Sequence, residues 1–226
     1  METLNITIGI LLIILSYFIG SIPFGLILGK LICKKDLREL GSKNIGSTNA
    51  IRFLGKKVGF LVFFCDVLKG ALVIILIKIL ASVGIWNTPE SIDLIYYGLA
   101  AILGHSFSIY LGFKGGKAVA TSLGVVLVLT PSLAIICLIV FLLLLFTTGY
   151  VSIASSLASI SVLVSCWIFY ANGITEVTNF IEYFIAKPSL TQCIIFTILA
   201  LLIIFKHRSN YVRLLNGTEY NHKTKR

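Results

Sequence analysis

Residues 58–82 read VGFLVFFCDVLKGALVIILIKILAS. The run carries charge only at Asp66, Lys69 and Lys78, and it exceeds the roughly 20 residues that a helix needs to cross a hydrocarbon core about 30 Å thick. Apolar runs of the same kind lie near 5–30, 92–111, 117–130, 132–148, 151–171 and 190–205. They predict an all-α, polytopic membrane protein of about seven transmembrane helices, folded as a single domain over 1–226. Thr130-Pro131-Ser132 separates the fourth run from the fifth, because proline starts a helix but does not continue one. The fourth run, about 14 residues at 1.5 Å each, reaches only roughly 21 Å, so its helix is expected to begin or end inside the membrane.

Composition excludes a water-soluble domain. Hydrophobic residues make up 58% and charged residues 12%, with a mean hydropathy of +1.01, whereas soluble domains carry about 25% charge. A net charge of +10 invites a nucleic-acid reading, but the cations sit in short stretches between apolar runs. Residues 33–57, 112–117 and the tail from 206 hold 15 of the 19 Lys and Arg. The opposite segments hold Lys187 as their only cation, beside Glu2, Glu90, Asp93, Glu176 and Glu182. Cations in short loops stay cytoplasmic, so alternation through seven helices puts the N-terminus outside and the C-terminus in the cytoplasm. The first run lacks a basic leader and outlasts a signal h-region, so no cleavable signal is expected. Cys33, Cys65, Cys137, Cys166 and Cys193 show no CxxC spacing and read as small apolar residues, not as a disulfide framework or a metal site.

Residues able to do chemistry collect on the expected cytoplasmic side. Gly41-Ser42-Lys43-Asn44-Ile45-Gly46-Ser47-Thr48-Asn49 is followed by Arg52. Such a segment supplies backbone N–H groups, short polar donors and a guanidinium fork for a phosphate, with Gly41, Ser42, Asn44, Gly46, Thr48, Asn49 and Arg52 as candidates. It is not a P-loop, since Ser47 stands where that motif has lysine. A polar loop at headgroup level is the plainer alternative. Gly104-His105 and then Gly115-Gly116-Lys117 run into the fourth helix; glycines and a lysine at a helix N-terminus make an anion site. The lysine also satisfies the positive-inside rule, and His105 could simply bond a neighbouring helix. Lys206-His207-Arg208-Ser209-Asn210 ends the last helix, where cations complement the helix dipole whether or not they meet substrate. Asp66 and Lys69, three apart on one helix face, are either functional or a self-neutralising bridge. The serines around Ser155 either bind substrate or permit close helix packing.

Together these motifs resemble the bacterial membrane glycerol-3-phosphate acyltransferases that use acyl phosphate, the PlsY family. The resemblance covers nearly the whole chain. It rests on Gly20-Ser21-Ile22-Pro23-Phe24-Gly25, the Gly41 to Arg52 segment, Asp66-Val67-Leu68-Lys69-Gly70, Gly104-His105 through Thr121, Tyr150 to Ser155, and His207 through Glu219. It implies a seven-helix fold in the bacterial inner membrane with the active site on the cytoplasmic side. The implied reaction moves a fatty acyl group from acyl phosphate to the 1-hydroxyl of sn-glycerol 3-phosphate, giving lysophosphatidic acid and phosphate. By the same resemblance, Ser42, Arg52, His207 and Asn210 take catalytic positions, Lys117 and Ser155 fall among the phosphate-binding groups, and the Gly41 to Asn49 loop is similar to the one that holds the donor phosphate. No cofactor or metal, and no acyl-CoA, acyl carrier protein or nucleic acid, is expected. Lys43 and Ala118 stand where the family usually has glycine, Ser47 where it often has alanine, and Gly149 where a basic residue usually precedes Tyr-Val-Ser.

The residues agree with that chemistry. Both substrates are anions, so cations must hold them and donors must stabilise an oxyanion. A His-x-x-x-x-Asp base is absent, since Tyr110 and Val212 stand five residues after His105 and His207; a substrate phosphate, with a second pKa near 6, can take the proton. An organophosphate transporter is the main alternative, although no second half repeats the first as transporters often do. A metal-dependent lipid phosphotransferase would want clustered carboxylates, which are lacking in the cytoplasmic stretches.

Overall fold

The computed structural model describes residues 2–86, 89, 91–173 and 187–224, and all regular structure among them is helical. The expected outer acids Glu90, Glu176 and Glu182 and the terminal Lys225 and Arg226 lie outside the described residues. Two compact units form, residues 1–129 and 130–226.

In the first unit, α1 (Glu2–Ser21) and α2 (Phe24–Cys33) replace the single expected helix near 5–30. Pro23, which has no N–H to give, separates them and takes two carbonyls out of the helical ladder. Ser21 O accepts from Ser108 Oγ at 2.6 Å, and Ile22 O accepts from Lys69 Nζ at 2.9 Å. A second difference lies at Ser47–Leu54, which forms the helix α3 inside a segment that reads as a loop. α4 (Lys56–Ser82) is the long run of 58–82. α5 (Ile95–Ser106) is followed by a 3₁₀ turn at Ile109–Leu111, dividing the expected 92–111 helix. α6 (Val119–Leu129) has only 11 residues, so the fourth run is indeed short.

Glycines let these helices approach. A methyl on Gly20 would overlap the Ala101 carbonyl and one on Gly104 the Tyr17 carbonyl, joining α1 to α5; Gly70 and Gly124 play the same part for α4 and α6. Ile74, Ile77, Trp86 and Tyr97 make one buried cluster; Leu37, Ala50 and Val62 make another, which seats α3 against α4. Lys78 extends its ammonium to the Val128 carbonyl at 3.4 Å, near the end of α6, where a cation meets the negative end of the helix dipole.

In the second unit, α7 (Pro131–Thr148) and α8 (Val151–Asn172) are joined through Gly149 and Tyr150, and α9 (Leu190–Lys206) leads into α10 (Arg208–Leu215) with a 45° bend at His207. α8 packs through small residues: Ser156 Oγ donates back to the Ser152 carbonyl and Ser159 Oγ to the Ser156 carbonyl, so these hydroxyls are satisfied within a membrane-length helix. Cys166 of α8 and Cys193 of α9 meet as buried thiols at 3.2 Å.

Glu2–Cys33, Lys56–Ser82, Pro131–Thr148 and Val151–Asn172 are long and apolar enough to cross a membrane, and α9 with α10 makes a fifth if the bent pair is one span. Their outer surfaces carry large apolar side chains such as Leu11, Phe60, Leu143, Phe146 and Leu201, each about 60–70% exposed. Soluble monomers rarely expose apolar patches on that scale, so the surrounding solvent is lipid. The protein is a multi-pass membrane protein.

Candidate active site

The Gly41 to Asn49 segment is organised by one buried amide. Asn49 Nδ2 donates to the carbonyls of Leu40 and Asn44 at 2.9 Å and of Leu37 at 3.3 Å, and its Oδ1 accepts from Ser42 N at 3.3 Å. Asn49 therefore shapes the loop, while Ser42 and Thr48 stay exposed. Asn44 Oδ1 accepts from Gly46 N at 2.8 Å, a local turn that delivers the chain to α3. Gly41 takes a left-handed φ of +53°, and the Phe53 ring occupies the place a Cβ would need. Gly46 caps α3 without a side chain, and the first helical bond runs from Ala50 N to its carbonyl. The N–H groups of Ser47 and Thr48 thus stand ahead of the ladder, where an anion is favoured.

Arg52, exposed on the same short helix, lies over the Phe53 ring at 5.1 Å. Asp36, the nearest acid in sequence to this loop apart from Glu39, is already engaged: Arg38 and Lys30 pair with it at 2.7 and 3.2 Å. The Arg38 guanidinium holds its carboxyl well below the usual carboxylate range.

A second glycine turn precedes α6. Gly116 N donates to the His105 carbonyl at 2.9 Å, and a side chain on Gly115 or Gly116 would overlap His105 itself. Lys117 is half-buried and Ala118 sits at φ +71° just before the helix. The first bond of α6 is Ser122 N to Ala118 O, which leaves the preceding N–H groups facing the turn. Among the described residues, Thr121 Oγ1 and Ser122 Oγ are buried with no hydrogen-bond partner. His105, only 4% exposed, turns Nδ1 toward Asp66 Oδ1 at 3.6 Å; the structure places this imidazole behind the turn, against Gly116. Asp66 and Lys69 form a buried ion pair at 2.9 Å.

The second unit gathers the tail motif around a residue that sequence reasoning left out of the site. Glu219 Oε1 accepts from Asn210 Nδ2 at 2.6 Å and Ser152 Oγ at 3.3 Å, and Oε2 accepts from Arg213 Nε at 2.7 Å. A lone acid within a basic tail was the available signal. His207, buried at the bend, donates from Nδ1 to the Ile203 carbonyl at 2.8 Å. Ser155 is buried on α8, whose Ser156 hydroxyl meets Tyr211 OH at 2.6 Å. Of the expected residues, then, Gly41, Ser42, Asn44, Gly46, Thr48, Asn49 and Arg52 share one feature of the first unit, and His105, Gly115, Gly116 and Lys117 share another. His207 and Asn210 share α10's first turn, and Ser155 lies on α8.

The glycerol-3-phosphate acyltransferase family profile matches residues 10–217. The chain belongs to this family. A glycerol-3-phosphate acyltransferase of Acholeplasma laidlawii is 44% identical over 93% of this chain and 91% of its own length. Glycerol-3-phosphate acyltransferase 2 of Bacillus anthracis is 44% identical over 93% of this chain and 97% of its own length. Among solved structures, the crystal structure of PlsY, an integral membrane glycerol 3-phosphate acyltransferase, in its glycerol 3-phosphate form aligns with a TM-score of 0.77. It is 38% identical, with 94% of each chain covered. Its lysophosphatidic acid form gives 0.74 at 37% identity, also over 94% of each chain.

Three departures from the acyltransferase pattern fall on left-handed backbone: Lys43 at φ +58°, Ala118 at +71° and Gly149 at +77°. A non-glycine residue there costs roughly 1–2 kcal/mol, against about 0.5–1 kcal/mol of extra chain entropy for glycine. Lys43→Gly is therefore expected to raise the unfolding free energy by about 0.5–1 kcal/mol, read as a higher Tm in detergent. Ala118→Gly should gain less, because its methyl is fully buried and losing it costs about 0.8 kcal/mol. A lower Tm for Lys43→Gly would contradict the strain argument.

Proposed function

We propose that this protein transfers a fatty acyl group from acyl phosphate to the 1-hydroxyl of sn-glycerol 3-phosphate, as a single catalytic domain of the bacterial inner membrane with its site on the cytoplasmic side. Acyl transfer to glycerol 3-phosphate, giving lysophosphatidic acid, is the activity of the family to which the chain belongs. The observation that carries the finer reading is a pair of helix N-termini in the first unit. Each is preceded by a glycine-bearing turn; Lys117 stands directly ahead of α6, and Arg52 lies in the last turn of the eight-residue α3. Two anion cradles suit two anionic substrates. The Gly41 to Asn49 loop takes the acyl phosphate by its resemblance to the donor loop, which leaves the Gly115-Gly116-Lys117 turn for the acceptor phosphate.

In the reaction, the acceptor hydroxyl oxygen bonds to the acyl carbon, the acyl carbon–phosphate oxygen bond breaks, and inorganic phosphate leaves. The hydroxyl proton passes to a phosphate oxygen of the substrate. Arg52, Ser42 and the open N–H groups of α3 stabilise charge on the donor. His207 and Asn210 orient glycerol 3-phosphate, Asn210 being fixed by Glu219, and Ser155 contributes a hydroxyl to substrate. A thioester has no phosphate for the donor loop, so acyl-CoA and acyl carrier protein are not donors. Seven crossings, with α5 and α6 as the short ones, put the N-terminus outside and the C-terminus inside, as the cation distribution requires.

Phosphate release by the purified protein in detergent tests this. Palmitoyl phosphate with glycerol 3-phosphate should give stoichiometric phosphate and lysophosphatidic acid, either substrate alone none, and palmitoyl-CoA none. Inside-out vesicles should use added glycerol 3-phosphate, and sealed right-side-out vesicles should not. Turnover with palmitoyl-CoA would overturn the donor, and activity confined to right-side-out vesicles would overturn the orientation. A transporter would show no turnover in detergent at all.

A further inference from the structure

The first unit contains an ion pair that the reaction scheme above does not use. Asp66 and Lys69 lie in the middle of α4, each 3% exposed, where burying two charges costs several kcal/mol per ion before pairing offsets it. A pair kept only to neutralise itself would be dispensable. This pair also reaches beyond itself. Lys69 Nζ donates both to Asp66 at 2.9 Å and to the Ile22 carbonyl at 2.9 Å, one of the carbonyls released where Pro23 breaks α1 from α2. Asp66 faces His105 Nδ1 at 3.6 Å.

From His105 the contact passes directly into the phosphate cradle. The His105 carbonyl holds Gly116 N at 2.9 Å, and its ring lies so close to Gly116 that no Cβ fits. The segment after His105 is tied to the same helix break: Ser108 Oγ donates to Ser21 O at 2.6 Å, and Tyr17 OH donates to Phe107 O at 2.6 Å. The turn at Gly115-Gly116 therefore rests on a carboxylate, an imidazole and a broken helix, and Lys117 follows it in sequence.

We propose that Asp66 and Lys69 are positioning residues for the acceptor-phosphate turn: Asp66 sets the His105 ring, the ring and carbonyl of His105 set Gly116, and Lys69 locks both to the α1–α2 break. Neither residue meets substrate. The inference rests on the assignment of Gly115-Gly116-Lys117 to glycerol 3-phosphate, and it assigns the KM for that substrate, not the chemistry, to a salt bridge buried in α4.

The test uses the full-length protein in detergent with palmitoyl phosphate and glycerol 3-phosphate. Asp66→Asn leaves Lys69 buried and uncompensated and can fail to fold, so Asp66→Asn/Lys69→Met is made beside it to remove both charges together. The double variant is expected to raise KM for glycerol 3-phosphate about tenfold and to leave KM for palmitoyl phosphate within about twofold. His105→Ala should show the same split. Adding His105→Ala to the double variant should raise KM no further, because residues acting through one another are not additive. A purely structural role lowers the active fraction and leaves both KM values alone; that result, or equal increases for both substrates, overturns the proposal. If the wild-type protein forms no product from the two substrates, the functional assignment itself fails, whereas normal wild-type turnover with unchanged KM values in the double variant sinks only the positioning role.

Discussion

Arg52→Ala is expected to lower kcat/KM for acyl transfer by about 10- to 150-fold, the equivalent of one charge-assisted hydrogen bond of about 1.5–3 kcal/mol, with the protein still folded. Its side chain is exposed on α3, so truncation opens no cavity, and the contact with the Phe53 ring at 5.1 Å is worth less than about 1 kcal/mol at such a site. The loss is thus catalytic and not a matter of stability. Lys117→Ala should fall in the same range. Lys114→Ala, exposed three residues earlier, should change the rate little. Steady-state phosphate release with matched Tm values measures all three. Wild-type activity in Arg52→Ala would remove α3 from the site.

Glu219→Ala should be the most damaging change in the second unit. Its carboxylate, 9% exposed, is shared by Asn210, Arg213 and Ser152. Removing it strands an amide and a guanidinium, a cost of about 3 kcal/mol, the upper end for hydrogen bonds to charged groups. Arg213 is 33% exposed and recovers water, which keeps the figure from rising further. Because Asn210 loses its anchor, activity should fall along with Tm. Glu219→Gln keeps an oxygen for Asn210 and should land between wild type and alanine. Equal Tm values for Glu219→Ala and wild type would mean that the cluster is not holding the tail.

The sequence disclosed what depends on runs of like residues, and concealed what depends on partners far along the chain. Residues 58–82 had no other use than a membrane helix, and α4 follows them closely. Pro23 lay inside a run read as one helix; the break stands because Lys69 and Ser108, 47 and 87 residues away from their acceptors, satisfy the carbonyls it frees. α3 was hidden because Gly46, Ser47, Thr48 and Asn49 are turn formers. The helix forms because Ala50 packs on Leu37 and Val62, a tertiary contact that local propensity does not register. His105 reads as a ligand from its place before a glycine turn; that it is buried between Asp66 and Gly116 depends on partners far along the chain. Glu219 reads only as an acid in a basic tail, because Ser152, whose hydroxyl it accepts, lies 67 residues away.

The tail does one thing more. Beyond Glu219 it folds over the end of α7: Asn221 Nδ2 donates to Thr148 O at 3.1 Å, His222 N to Gly149 O at 2.8 Å, and Lys223 Nζ to Thr147 O at 3.1 Å. The resemblance set out from the sequence implies a basic residue at the position of Gly149, where this chain has none. Lys223 brings its ammonium to the same helix end, where a cation meets the dipole, and the Asn221 amide lies where a Gly149 side chain would project. Substitution histories at the two positions should therefore be coupled across the family: lineages that lose the cation before Tyr-Val-Ser are expected to gain one in the tail, and the pair is expected to change together.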